Sequence, residues 1–599
     1  MGKIINVLLS GLLVIGLSVI AGAAGLQVPH DYDTIQAAID ASADGDVITV
    51  ANGTYTGEGN RDLDSKGKAI TIQSQHGAAT CTIDCQGSLA DPHRGISLYS
   101  GEGLATIIDG FTIIHGYASG NSAKGAAIDC DNASSPTIRN CIFQNNTVVG
   151  DYSGGGAIGC ETGSNAVISN CSFTNNQAGR YGGAVYASFS NLALSNCTFT
   201  GNAATNADPS GYGGAVCFSE STSTISHGTL SGNTSTYGGG AIGIINNSDI
   251  TITDSAIRNN SAEGDYSHAG GIFGVHSMVS IEDCVVEDNT ADYNGGIYMN
   301  ESSLTIQNTS IQNNQAQMGK AGGMGAEFSD ITVANTAIQG NYADDSGGGI
   351  YLNLTEAAFE NCSIRENASQ NSVGGGIYST GGDVMLTDTL VEDNSATEGG
   401  GLSLNDANSV LTDCQIIDNT AVNFGGGMVL THESAILKNS IIRGNRITTA
   451  SVGYGGGMYG NAAVLTVENL LIEGNSARNG GAFAMYNSNG IWTNCTFTGN
   501  QSESRNAGVY LFHHTAIEMG NCILWGNHGA LGDNQLRMST SSSAAVSFCD
   551  VQGGQDGQEV DETSTLTWGD GNRDDDTDFA VEGQWDPNPQ GRNSRPDRE

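Results

Sequence analysis

Proline is scarce in this chain, 7 in 599 residues, whereas glycine reaches 86. Without a Gly-x-y period the composition is not that of collagen. With 38% hydrophobic residues it is not that of a simple disordered chain either, so it implies a folded protein with very many turns. Positive charge is equally scarce: Lys and Arg number 21 against 63 Asp and Glu, a net charge of −42. Such a surface repels phosphate backbones and anionic lipid, which argues against nucleic-acid binding and membrane adsorption. The 11 histidines show no His-x-x-x-His or His/Cys spacing that would mark a metal site. Beyond the first 20 residues no apolar run is long enough to span a bilayer.

The N-terminus carries Lys3, an apolar run from Ile4 to Ile20, and then the small residues Ala21, Gly22 and Ala23. This is the layout of a secretory signal peptide over residues 1–24, and it implies an exported mature protein with no membrane span after cleavage. Fourteen cysteines in an exported protein first suggest disulfides. Their positions argue instead for a repeated structural role.

The segment Val167–Tyr186, VISNCSFTNNQAGRYGGAVY, has close copies along most of the chain. Fifteen copies end on an Asn between Asn146 and Asn527, a mean period of about 27 residues; they include Asn176, Asn202, Asn289, Asn341 and Asn367. Three positions before each stands a large apolar residue, such as Phe143, Phe173, Phe199 or Ile257. Five before stands a small or modest residue, Cys in eight copies, and six before an Asn or Asp in every copy but the one holding His227. Eight before is usually apolar again, so the pattern has period two, broken once by a bend. A Gly cluster then leads into a further apolar segment, as in Gly182–Tyr186 and Gly295–Met299.

Three short strands per repeat describe one rung of a parallel β-helix. Leucine-rich repeats share a similar period and an Asn ladder. They need Leu at several fixed columns and an apolar residue two after the Asn, where polar loop residues stand here. Stacked about 4.8 Å apart, each Asn amide can donate to one neighbour and accept from another, and Asn tolerates the left-handed conformation of a sharp bend. The Cys column suits an inward position too tight for a large side chain. Cys130 and Cys160, on successive rungs, could bond or remain free.

Val28–Tyr55 reads as a short amphipathic helix carrying Ile35, Ala38 and Ile39, followed by a strand, Val47–Val50. A helix over the first rung would cover an open sheet end. The segment resembles the N-terminal cap of bacterial pectin-lyase-like, right-handed parallel β-helix proteins, and Gly67–Ile72, Ile107–Gly116 and Ser134–Cys141 resemble their early rungs. The Gly-Gly-Ala-Ile/Val and Phe-x-x-Asn pairs are similar to repeats of polymorphic outer-membrane proteins, whose translocating barrel has no counterpart after residue 530. The resemblance covers about residues 26–550 and implies an all-β, right-handed parallel β-helix with a short N-terminal capping helix. The expected layout is a cap with first rungs over 25–133, repeats over 134–550, and an acidic polar tail over 551–599.

An active site is hard to find. A pectate lyase would need a basic residue beside Ca²⁺-binding carboxylates, yet no Arg-x-Pro-x-x-Arg pattern occurs and the basic residues are scattered singly. The Asn-Thr-Asp, Gly-x-Asp-Asp, Gly-His-Gly and Arg-Ile-Lys contexts of polygalacturonase-like hydrolases are absent. Asp344 and Asp345 are the nearest carboxylate pair, but in their Asn-Tyr-Ala-Asp-Asp-Ser-Gly context they read as a solvated loop rather than a catalytic pair. Asp570, Asn572 and Asp574 alternate like a calcium loop, but Asp575 and Val581 stand where an EF-hand needs Gly and Glu.

Length variation is confined to one loop per rung: the last Gly of each cluster lies 18 to 20 residues before the next Asn, whereas 6 to 12 residues separate each Asn from that Gly. Stacking places these loops along one edge, often the binding face of a repeat protein. They carry Asp151, Tyr152, Tyr181, Tyr212, Tyr237, Asp265, Tyr266, Asp292 and Tyr293. Aromatics beside carboxylates suit sugar rings and their hydroxyls; alternatively each ring packs over its own Gly turn. The sequence thus points to an exported, non-catalytic surface or extracellular binding protein directed at a polysaccharide, with no required cofactor and Ca²⁺ as an optional bridge. A polysaccharide lyase or glycoside hydrolase is the alternative.

Overall fold

The computed structural model describes residues 24–206, 211–449, 453–504 and 506–575. The signal-peptide segment up to residue 23 and the tail from 576 onward, including Val581, lie outside the described residues. Among the described residues no helix is long and apolar enough to cross a membrane.

The chain forms a parallel β-helix. One turn consists of Val167–Ser169, Ser172–Thr174, the two-residue piece Gln177–Ala178, and Val185–Ser188. Each pairs in parallel with its equivalent one turn later, setting Ile168 on Leu194, Phe173 on Phe199, Ala178 on Ala204 and Val185 on Val216. Repetition generates three long sheets, called here the first, second and fourth, and a narrow third made mostly of two-residue pieces. That third strand is too short to show a period in the sequence. It exists because the buried Ala178 column, continued by Ala204, Ser235 and Ala262, brings the chain back toward the core.

Inward side chains build one hydrophobic core that runs from Leu26 to Val551. Phe143, Phe173 and Phe199 stack inside it with ring centroids 4.9 and 4.6 Å apart. The cap forms as the sequence indicates: Ile35–Ala41 is a helix whose first turn is capped by the Thr34 hydroxyl, which accepts from Ala37 N at 3.3 Å. Its buried side chains are Ile35, Ala38 and Ile39.

The two Asn columns do different jobs. Asn146 donates through Nδ2 and through its backbone N–H to Asn176 Oδ1, at 2.9 and 3.1 Å, and also through Nδ2 to Ile113 O. The pattern repeats rung by rung until Asn527 donates to Gln535 Oε1 at 2.6 Å. These amides are buried and saturated, but they are not the left-handed residues. That conformation belongs to the residue just before each, such as Asn145, Asn175, Gly232, Asn259 or Asp288, and to the outer bend column of Asn140, Asn170 and Asn196. An amide engaged on both sides is held inside, so the sharp turn falls to its exposed neighbour.

The 14 cysteines are all buried and free. Cys171 Sγ donates to Ser169 O at 3.2 Å, as Ser255 Oγ donates to Thr253 O at 2.7 Å and Thr309 Oγ1 to Gln307 O at 2.9 Å in the same column. The backbone N–H of Cys284 donates to Thr309 Oγ1, and that of Ser255 to Cys284 Sγ. Cys, Ser and Thr are therefore interchangeable small groups that both donate and accept across the rungs. Burial pushes the Cys284 and Cys414 thiols up to about 11, which keeps them protonated and unreactive.

Candidate functional site

The variable loops lie over the outer side of the fourth sheet. The backbones of Tyr181, Tyr212, Gly238, His268 and Tyr293 bridge from rung to rung, forming one column at the start of that sheet. Strand alternation turns Tyr186, Cys217, Gly243, Phe273 and Tyr298 outward beneath it. Gly238 is required there: an added Cβ would lie 2.8 Å from the Phe273 ring.

The result is a second hydrophobic cluster outside the main core, in which Tyr186, Phe273 and Tyr298 are buried and Tyr181, Tyr212 and Tyr237 are partly exposed. Tyr181 stacks on Tyr186 with centroids 5.0 Å apart, Tyr212 meets Tyr237 edge-on at 5.4 Å, and His268 stacks on Tyr298 at 4.8 Å. Local packing therefore accounts for the buried rings. It leaves a cavity of about 400 Å³ lined by the remaining edges of Tyr181, Tyr212 and Tyr237, by His268, and by the amides of Asn246 and Asn300.

Arg180 closes one end. Its guanidinium lies 5.0 Å from the Tyr152 and Tyr181 ring centroids and 5.7 Å from that of Tyr212, while its Nε is buried without a hydrogen-bond partner among the described residues. Burial pushes the Tyr181 phenol up to about 12 and raises that of Tyr212, so both remain O–H donors. Burial also lowers His268 to about 4. The Asn294 amide stands 3.0 Å from its Nδ1, and a neutral ring accepts that N–H. The groove thus offers ring faces, phenol and amide hydrogen bonds and one cation, with no carboxylate among its lining residues.

Of the sequence candidates, Tyr181, Tyr212 and Tyr237 come together here, with Tyr152 beside them through Arg180. The others do not enter the groove. Tyr266 is 70% exposed and stacks on Tyr293 at 6.2 Å. Asp292 Oδ2 accepts from Tyr266 N at 3.0 Å, which fixes the loop. Asp151 and Asp265 are exposed. Asp344 and Asp345 hold local bonds from Asn371 Nδ2 and Ser346 Oγ, at 2.9 and 3.0 Å. Asn572 turns its amide to the backbone, donating to Val546 O at 2.7 Å and accepting from Cys549 N at 2.9 Å, and Asp574 accepts from Gly553 N. Among the described residues no group of three or more His, Cys, Asp or Glu could hold a metal ion.

Arg180, Phe273, Tyr298 and Asn300 do not follow from the loop reading. The signal for the rings was available: in Gly-Gly-Ile-Tyr the residue two after the last Gly alternates outward. A larger depression of about 740 Å³ lies at the corner before the first sheet, near His276, Met278 and Phe328. It lacks stacked rings, and His276 Nδ1 already faces Glu301 Oε2 at 3.4 Å.

A family model described as a right-handed beta helix region matches residues 46–226, 210–387, 295–471 and 391–551. No curated protein matches the chain. Among solved structures, a family PL6 alginate lyase is 11% identical, covering 92% of this chain and 100% of that one with a TM-score of 0.24. The A-module of a mannuronan C-5 epimerase from Azotobacter vinelandii is 15% identical over 72% and 94%, with a TM-score of 0.23. A siphovirus tailspike receptor-binding domain is 9% identical over 75% and 74%, with a TM-score of 0.20. These are likenesses of fold alone.

Proposed function

Because the chain belongs to the right-handed β-helix family, we propose that it is an exported, non-catalytic solenoid whose task is to bind a glycan in the aromatic groove on its fourth sheet. The observation that carries this reading is the cavity itself: partly exposed Tyr181, Tyr212 and Tyr237 beside the amides of Asn246 and Asn300. Sugar rings present C–H faces that stack on aromatics and hydroxyls that pair with amides and phenols. The charged loop residues Asp344 and Asp345 are engaged locally, which supports binding without turnover.

The test pairs a glycan array with a turnover assay on polyuronates in Ca²⁺. Binding without product release is expected, lost in the Tyr212→Ala/Tyr237→Ala variant and kept in Tyr266→Ala. Release of unsaturated ends that disappears when Asp344 and Asp345 become Asn would refute the reading in favour of a lyase.

A further inference from the structure

The groove does not end at Asn300. Two residues beyond the outward rings, the fourth sheet carries a second outward column in unbroken parallel register: Val275 on Asn300, Asn300 on Glu327, and Glu327 on Asn353. It continues through Thr380, Asn405, Thr431 and Asn461. From Asn300 to Asn461 every rung supplies one half-buried side chain able to hydrogen-bond. The six rung steps span roughly 29 Å.

Tyrosines flank this column. Asn300 Nδ2 donates to Tyr298 OH at 3.2 Å, and Asn405 Nδ2 lies 3.5 Å from Tyr378 OH. The side chains of Asn353, Thr380, Thr431 and Asn461 have no hydrogen bond among the described residues, so their donors and acceptors are free. One carboxylate, Glu327, interrupts the column. The nearby Lys320 ammonium is committed to Tyr351, bonding its hydroxyl at 2.6 Å and lying 4.3 Å from the ring centroid.

Resting on the glycan reading above, we infer that the ligand is a neutral, linear polysaccharide that continues from the groove along this column, parallel to the solenoid axis. An extended pyranose chain repeats on nearly the rung spacing, so successive sugars meet equivalent amides and hydroxyls. Charge selects a neutral polymer: a polyanion approaching a chain of net charge −42 is repelled, the one cation of the groove, Arg180, lies among the rings of Tyr152, Tyr181 and Tyr212 at its end, and no free cation stands on the track among the described residues. A lipid surface has no use for a row of amides and hydroxyls. Multiple weak contacts along one polymer give affinity that grows with chain length.

The test is titration calorimetry on the full chain with size-fractionated oligomers of xylan and β-1,4-glucan, and of polygalacturonate and alginate as charged counterparts. Three variants are compared: Asn405→Ala/Asn461→Ala on the track, Tyr212→Ala/Tyr237→Ala in the groove, and Thr305→Ala/Thr332→Ala on the outer face of the first sheet. For a neutral oligomer, Kd should tighten about tenfold or more as the chain outgrows the groove. The track variant should lose that gain while matching wild type on the shortest binding oligomer, and the first-sheet variant should behave as wild type. Asn405→Ser/Asn461→Ser separates a lost contact from lost folding, since it keeps a hydrogen-bonding group.

Length-independent binding abolished only by the groove variant would overturn the track and leave the groove standing. Tighter binding of polygalacturonate or alginate would overturn the neutral assignment. Failure of all four polymers to bind would sink both, as would a groove variant indistinguishable from wild type.

Discussion

Replacing Asn289 by Ala removes one link from the middle of the amide ladder. The Asn289 side chain is fully buried and donates through Nδ2 to Asn314 Oδ1 at 3.0 Å and to Ile257 O at 2.9 Å. Its Oδ1 accepts both the backbone N–H and the Nδ2–H of Asn260, each at 3.0 Å. The variant therefore leaves two donors of Asn260 without their acceptor, and Ile257 O and Asn314 Oδ1 each lose one donor. Asn314 Oδ1 keeps the backbone N–H of residue 289. An orphaned buried polar group costs about 1–3 kcal/mol, and water entering the vacated space offsets part of it. We expect a loss of about 2–5 kcal/mol, concentrated in the rungs holding Asn260, Asn289 and Asn314. Because solenoids unfold by neighbouring units, hydrogen exchange resolved by segment is the suitable assay. Amides of residues 255–315 should lose protection while those of 140–200 keep theirs. Asn170→Ala, in the exposed bend column, is the control and should act through backbone strain only, at about 1–2 kcal/mol. Equal protection in wild type and Asn289→Ala would show that the ladder contributes no net stability.

Three other predictions test separate links. His268 is held neutral, with its pKa lowered to about 4 in the fold against 6.5 when unfolded. The unfolded chain therefore takes up a proton first as pH falls. His268 should cost no stability above pH 6.5 and a rising amount between 6.5 and about 4, approaching about 3 kcal/mol at most. His268→Gln should flatten that limb of the pH–stability profile, and an unchanged limb would refute a buried neutral ring. Phe173→Ala should cost about 3–5 kcal/mol, since the ring is fully buried between Phe143 and Phe199; a melting temperature within error of wild type would count against the stack. An added Cβ at Gly183 would run into Gly214 O and Ala203 N, whereas Gly232, at φ 63°, has open space around it. Gly183→Ala should thus fold poorly, while Gly232→Asn, which copies Asn175 and Asn259, should stay within about 0.5 kcal/mol of wild type; denaturant midpoints decide between these outcomes.

The outer loops were legible only in part. Their position on one edge follows from where length varies, and Tyr181, Tyr212 and Tyr237 were visible as residue types beside the Gly clusters. Which of the loop aromatics meet depends on the tilt and reach of each loop. Tyr266, with φ at 58°, turns away onto Tyr293, while His268 two residues later turns inward onto Tyr298. No local pattern separates those fates. Arg180 was equally opaque: a lone basic residue acquires meaning when Tyr152 and Tyr212, from the turns on either side, close around it.

The sequence by itself determined the solenoid, because the constraints of a rung are local and repeated. Period-two apolar positions, an Asn that must satisfy its amide along the stack, and Gly where backbones nearly touch recur every 27 residues or so and admit one architecture. It also determined that eight of the 14 cysteines are column residues, since they alternate with Ser and Thr at one position. The tertiary structure decided what the columns do to each other. It alone showed that the ladder Asn is inward while its neighbour takes the left-handed turn, and that Gln535 ends the ladder. It alone aligned Asn300 with Asn461 in one outward row. Those facts depend on register between residues that the chain separates by a whole turn, and register is fixed only when the rungs stack.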